Sequence, residues 1–199
     1  FEKVLRIDQQ NHPVLLTETP LCRKLQREKI TQIMFETFNV PAKYTAIEPV
    51  LSVYGNGRTS GQAVHSGMGV TWIMPVVESM AVPHAIMRLD IGGEDLTYLV
   101  QKALAKRNTY VSLDVARDIK ETCARISSGG DEPGQEDAVS YELPDGNSLI
   151  IDGNIINVGE ALFAPSVVGH HESIPGLPQL IYTSVFDRVI SLSLSLSLS

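Results

Sequence analysis

The stretch Val64-His65-Ser66-Gly67-Met68-Gly69-Val70-Thr71 constrains this chain more than any other. Two β-prone runs flank it, Gly61-Gln62-Ala63-Val64 before and Val70-Thr71-Trp72-Ile73-Met74-Pro75-Val76-Val77 after. Ser-Gly-Met-Gly between such runs predicts a tight hairpin, because glycine supplies the positive φ values that a short turn needs. A Gly-rich hairpin also gathers backbone N–H groups closely enough to cradle phosphate oxygens.

The surrounding elements alternate between strand and helix. Apolar residues at Leu25, Ile30, Ile33, Met34 and Phe38 predict a helix with one buried face, ended by Asn39 and Pro41. Tyr44 to Ile47 is expected to be a short strand, and Pro49 suits the first turn of a helix that runs through Tyr54 and stops at Gly55. Gly55-Asn56-Gly57 is a turn. Ala85 to Leu89 predicts another strand, followed after Gly92-Gly93 by an amphipathic helix from about Asp95 to Lys106. Asp114 is the expected cap of a helix from Val115 to about Ile126. An acidic, Gly-rich loop spans Ser127 to Ala138. A hairpin turns at Pro144-Asp145-Gly146, and Glu160 to Phe163 begins a short helix. This alternation predicts the α/β class.

Composition narrows the partners. The chain has 199 residues and a net charge of −7, which argues against non-specific nucleic-acid binding, since that needs a basic face. The two cysteines, Cys22 and Cys123, are far apart in sequence, give no metal motif and fit a reducing compartment. Cys123, among apolar neighbours on a helix, is expected to be a core thiol. No run approaches the roughly 18 apolar residues of a membrane span, and Phe1-Glu2-Lys3 opens without the apolar run of a signal peptide. His170-His171-Glu172 is expected to be surface loop, because adjacent residues point apart and the second half of a zinc motif is missing. The glycines of Gly55 to Gly61 follow their helix rather than precede it, which argues against a dinucleotide fingerprint.

Several long blocks, in order, resemble the actin family. They are His12 to Glu18, Arg27 to Pro41, Val50 to Tyr54, Gly57-Arg58-Thr59, Pro83 to Ile86, Arg117 to Glu121 and Tyr141 to Gly146. The resemblance runs from Phe1 to about Arg188 and drops a few residues between Arg107 and Arg117. It implies the actin-like ATPase (ribonuclease H-like) fold, which also serves sugar kinases and chaperones and so does not itself fix function. It also implies an incomplete copy: residues 1–60 as the remainder of the first half, 61–189 as part of the second, and 190–199 as a Leu-Ser tail foreign to the family. The tail alternates with period two, like an unprotected edge strand, and is simplest as a read-through.

The resemblance assigns a nucleotide site. The family has Asp-Ser-Gly-Asp-Gly-Val-Thr-His at the opening hairpin. This chain keeps Ser66, Gly67, Gly69, Val70 and Thr71 but has His65 and Met68 where the family has aspartates. Gly93 aligns with a glycine on the ribose side of the cleft, and Lys120 and Glu121 with the pair beside the adenosine, Arg117 lying one turn earlier. The nucleotide-binding candidates are therefore Ser66, Gly67, Gly69, Val70, Gly93, Arg117, Lys120 and Glu121. The competing expectation is an exposed charged face with Arg117 and Glu121 as an i,i+4 pair. ATP is the implied cofactor. Magnesium is not expected to be well held, since it prefers oxygen ligands.

Glu48 stands where the family positions water with a Gln, and Trp72 where it uses a His. Phosphoryl transfer rests on metal positioning and charge stabilisation, so no catalytic residue and no metal ligand is assigned. The expected function is a divergent, actin-like structural or scaffold protein of the cytoplasm and cytoskeleton with impaired ATP hydrolysis. Its alternatives are an ATP-binding actin-related protein with slow or no hydrolysis, or a decayed copy. Expected partners are actin, actin-binding proteins and chaperones, with no nucleic acid and no membrane. Parts of the family's polymer surface survive around Pro20 to Lys29 and at Tyr54.

Overall fold

A computed structural model of the protein describes residues 1, 3–126, 138–168 and 174–190. The acidic loop, the His170-His171-Glu172 stretch and the Leu-Ser repeat fall outside the described residues. The chain divides into two units, one formed by Phe1–His65, Trp72–Met87 and Ser184–Ser199, the other by Ser66–Thr71 and Arg88–Thr183.

In the first unit, β1 (Val14–Glu18) pairs in parallel with β2 (Lys43–Ile47), Leu16 opposite Thr45. The helix α1 (Lys24–Glu36) crosses between them. Arg27 of α1 forks onto Glu18 of β1, Nε to Oε2 at 2.9 Å and Nη2 to Oε1 at 2.5 Å, a bidentate clamp from helix to strand. The apolar face predicted for α1 is not buried. Only Met34 is in the core, whereas Leu25 is 79% exposed and Ile30, Ile33 and Phe35 are also exposed. The periodicity is genuine, but a two-stranded sheet offers too little surface to cover it.

The helix α2 (Glu48–Gly55) starts with Pro49 in its first turn, as predicted, and Gly57 takes the left-handed φ of +69° in the turn that follows. Next come β3 (Gly61–Ser66) and β4 (Thr71–Val77), joined in one sheet with β5 (Met80–Ala81) and β6 (Met87–Leu89). The strand expected from Ala85 starts only at Met87, because Pro83–Ala85 forms a 3-10 turn. Val53, Ala63, Met74 and Val76 form this unit's core.

The second unit holds the larger core. Here α3 (Gly93–Ala105) and α4 (Leu113–Cys123) pack with the hairpin of β7 (Val139–Glu142) and β8 (Ser148–Ile151), and with α5 (Gly153–Ile156). Val100, Leu104, Ala116, Ile119, Ile151 and Ile155 are nearly or wholly inaccessible. Cys123 is a buried free thiol, as expected, and burial pushes its pKa up. Two boundaries differ from the sequence expectation. Ser112, not Asp114, caps α4, its hydroxyl accepting from Val115 N–H at 3.4 Å. The helix stops at Cys123 rather than Ile126, because Ala124 turns extended and Arg125 N–H donates to Ile156 C=O at 2.7 Å. A tertiary hydrogen bond thus replaces the last helical turn. The predicted turn at Pro144-Asp145-Gly146 is present, with Gly146 at φ +84°. The expected helix at Glu160 is a 3-10 stretch, Asn157–Leu162. The last described element is α6 (Leu177–Tyr182), which continues into a π-helical segment, Thr183–Ile190.

Candidate functional site

The hairpin tip and two helices of the second unit enclose one cavity of about 410 Å³. Gly67 and Met68 come from the tip, Gly93, Glu94 and Thr97 from the start of α3, and Arg117, Lys120 and Glu121 from α4. Five of the eight sequence-predicted residues therefore meet in one place: Gly67, Gly93, Arg117, Lys120 and Glu121.

Backbone approach explains the glycines. Gly67 N–H donates to Val70 C=O at 3.0 Å and closes the turn, with Met68 and Gly69 at its tip. Neither Gly67 nor Gly69 adopts a positive φ, so the expected conformational reason for them is corrected. Contact is the reason further along the chain. A Cβ on Gly92 would lie 2.4 Å from Met68 O and 2.7 Å from Val70 N, and one on Gly93 would lie 3.4 Å from Lys120 Nζ. These glycines let α3 begin directly against the hairpin.

That approach caps the helix. Gly93 N–H donates to Gly67 C=O at 2.9 Å and Glu94 N–H to Met68 C=O at 2.7 Å. Asp95 Oδ2 accepts from Gly92 N–H at 2.8 Å, the half of a capping box that a glycine N-cap permits. The first amides of α3 are thus satisfied by protein oxygens.

Lys120 ties α4 to the same point. Its Nζ donates to Gly93 C=O at 2.9 Å and to Thr97 Oγ1 at 3.1 Å, leaving one of three ammonium donors for a ligand. Arg117 is exposed and lies 3.6 Å from Asp114, so the i,i+4 pair expected with Glu121 is replaced by an i,i+3 pair. Ser66, Gly69 and Val70 stand outside the lining. The Ser66 hydroxyl is engaged with Thr71 Oγ1 at 2.9 Å, and Thr71 in turn donates to Ile91 C=O at 2.8 Å. Thr97 and Glu94 were not anticipated from sequence. The available signal for Thr97 was its place one helical turn after Gly93, on the same face.

Arg117 and Lys120 are balanced by Glu94 and Glu121, so the lining carries no excess positive charge. The volume falls in the range of small-molecule sites. A nucleoside fits this set: a carboxylate suits ribose hydroxyls, and the helix faces supply walls. A bare triphosphate does not, because the two cations of the lining are already balanced by two carboxylates.

The changed positions lie mainly in the first unit. His65 Nε2 is 3.9 Å from Glu48 Oε2, so two of the substituted residues face each other. Trp72 is buried at 6% exposure, while Met68 is 59% exposed. Among the described residues no group of three His, Cys, Asp or Glu side chains is arranged to hold a metal, and no helix is long and apolar enough to cross a membrane. An imidazole and a thioether are poor partners for magnesium, so the residues present do not fit that ion.

The family model described as Actin matches residues 1–113 and 106–197, two stretches that overlap where the resemblance loses a few residues. With matches across most of its length and an α/β arrangement that sets a Gly-containing hairpin against the start of a helix, this chain belongs to the actin family.

Proposed function

We propose that this actin-family chain is a structural protein of the cytoplasm and cytoskeleton that holds the nucleoside end of an adenine nucleotide and hydrolyses ATP poorly or not at all. The observation that carries this reading is the fate of the four changed positions. Glu48 and His65 face each other 3.9 Å apart, Trp72 is a buried residue, and Met68 projects a thioether from the hairpin tip. None of these groups can hold hydrated magnesium and also position an attacking water. Gly67, Gly93, Arg117, Lys120 and Glu121 support nucleoside binding because they converge on one cavity. Ser66, Gly69 and Val70 act from behind, shaping the turn. The chain's partners on this reading are actin or actin-binding proteins, with a chaperone assisting folding. The fold on this reading is the ribonuclease H-like arrangement of the family.

Calorimetric unfolding with ATP, with Mg·ATP and with adenosine tests the proposal. A ligand that binds only the folded state raises the midpoint, by about 2.7 kcal/mol of stabilisation at a hundredfold excess over Kd. Adenosine and ATP are expected to raise it alike, magnesium to add nothing, and phosphate release to stay at background. An unmoved midpoint would remove nucleotide from the account. Magnesium-dependent turnover would overturn the loss of hydrolysis.

A further inference from the structure

A second cavity, of about 520 Å³, opens at the far end of α3. Leu99 and Ile155 contribute to its apolar walls, and Lys102, Lys106, Arg107 and Asp152 to its polar lining. It lies wholly in the second unit, and no residue of the nucleotide cavity lines it.

Three observations give this cavity a ligand chemistry. Lys102 and Lys106 sit four residues apart on one face, where like charges repel. Among the described residues neither lysine has an ion-pair partner. Arg107 pairs with Asp152 through Oδ2 and also donates to Ile150 C=O at 3.4 Å. The other carboxylate oxygen, Asp152 Oδ1, is buried without a hydrogen-bond partner from the protein. That oxygen is inaccessible from the cavity, so the cavity offers a ligand its cations rather than an acceptor.

We propose that this cavity binds a phosphate monoester with an apolar body. Three cations and one carboxylate leave two net positive charges, which match a phosphate monoester of about −1.5 to −2 charge. Lysines recognise phosphate as point charges, and the apolar walls take the body.

Isothermal titration of the full chain with O-phosphotyrosine, tyrosine, phenyl phosphate and inorganic phosphate tests this. O-phosphotyrosine and phenyl phosphate carry both features and are expected to bind alike, with tyrosine and inorganic phosphate weaker than either. The exposed pair Lys102→Ala/Lys106→Ala is expected to fold normally and to weaken O-phosphotyrosine by roughly tenfold or more, equivalent to about 1.4 kcal/mol. In the same variant the adenosine response should be unchanged, which separates this cavity from the nucleotide site. Inorganic phosphate binding as well as O-phosphotyrosine, an unaffected double variant, or no binding of any probe would each overturn the proposal. The same ester presented on a peptide distinguishes a free metabolite from a modified side chain, since only an open mouth admits the peptide.

Discussion

Tyr141 donates its phenolic hydrogen to the Asp118 carboxylate, and that bond pushes the phenol's pKa up to about 12. The folded value lies above the ordinary one, so the contribution to stability is complete below about pH 10 and is lost as the pH rises towards 12. Alkaline titration at the tyrosinate absorbance band should show a late step that disappears in Tyr141→Phe. The two thiols should also separate. Cys22 is part-exposed and Cys123 is buried with a raised pKa, so a thiol reagent at neutral pH should label one cysteine in the native protein and two after unfolding. Gly92 gives the sharpest steric prediction. Gly92→Ala places a methyl against Met68 O and Val70 N and should cost about 1–3 kcal/mol by denaturant titration, with weaker adenosine binding. At this scale the sequence was readable wherever a residue's own chemistry decides its role, as for the buried thiol of Cys123. Gly92 reads from sequence only as part of a turn, because its importance comes from the carbonyl of Met68, which the fold alone brings against it.

The elements rank by how much apolar surface each finds to pack against. In α3 and α4 the helical stripe lands on the hairpin of β7 and β8 and on α5, and Val100, Leu104, Ala116 and Ile119 are fully covered. Leu104→Ala should therefore cost about 2–5 kcal/mol, measured as a shift in the denaturant midpoint. The stripe of α1 meets only β1 and β2, and most of it stays exposed. Amide hydrogen exchange should accordingly be slowest in α3 and α4 and much faster in β1, β2 and α1. Periodicity identified both kinds of helix, because it reports that a face is apolar. What covers that face is a tertiary fact, which is why α1 was read as buried. Local signals also missed β1, which has no turn chemistry of its own and is defined by its pairing with β2. The end of α4 was set at a distance too, by Ile156.

For the whole molecule, exposed apolar side chains set the solution behaviour. Leu15, Leu21, Leu25 and Tyr44 are all more than half exposed in the first unit. Covering several hundred Å² of such surface is worth several kcal/mol at about 25 cal/mol per Å², comparable with a domain's whole stability of roughly 5–15 kcal/mol. The purified chain should associate with itself or remain bound to a chaperone, seen as concentration-dependent light scattering. A sharp, reversible, monomeric transition would contradict this. Family membership was legible at this scale because long blocks keep their order. The approach of Glu48 to His65 was not, since it brings together residues from different elements, α2 and β3.

Trp72 is the chain's single tryptophan, and it is buried directly after the turn that carries Met68 and Gly69. An indole in an apolar setting emits at shorter wavelength than one in water. Fluorescence from this unlabelled protein therefore comes from one known point, at the base of the hairpin. Trp72 is thus an intrinsic optical reporter, and its spectrum would register any ligand that loosens or tightens that turn.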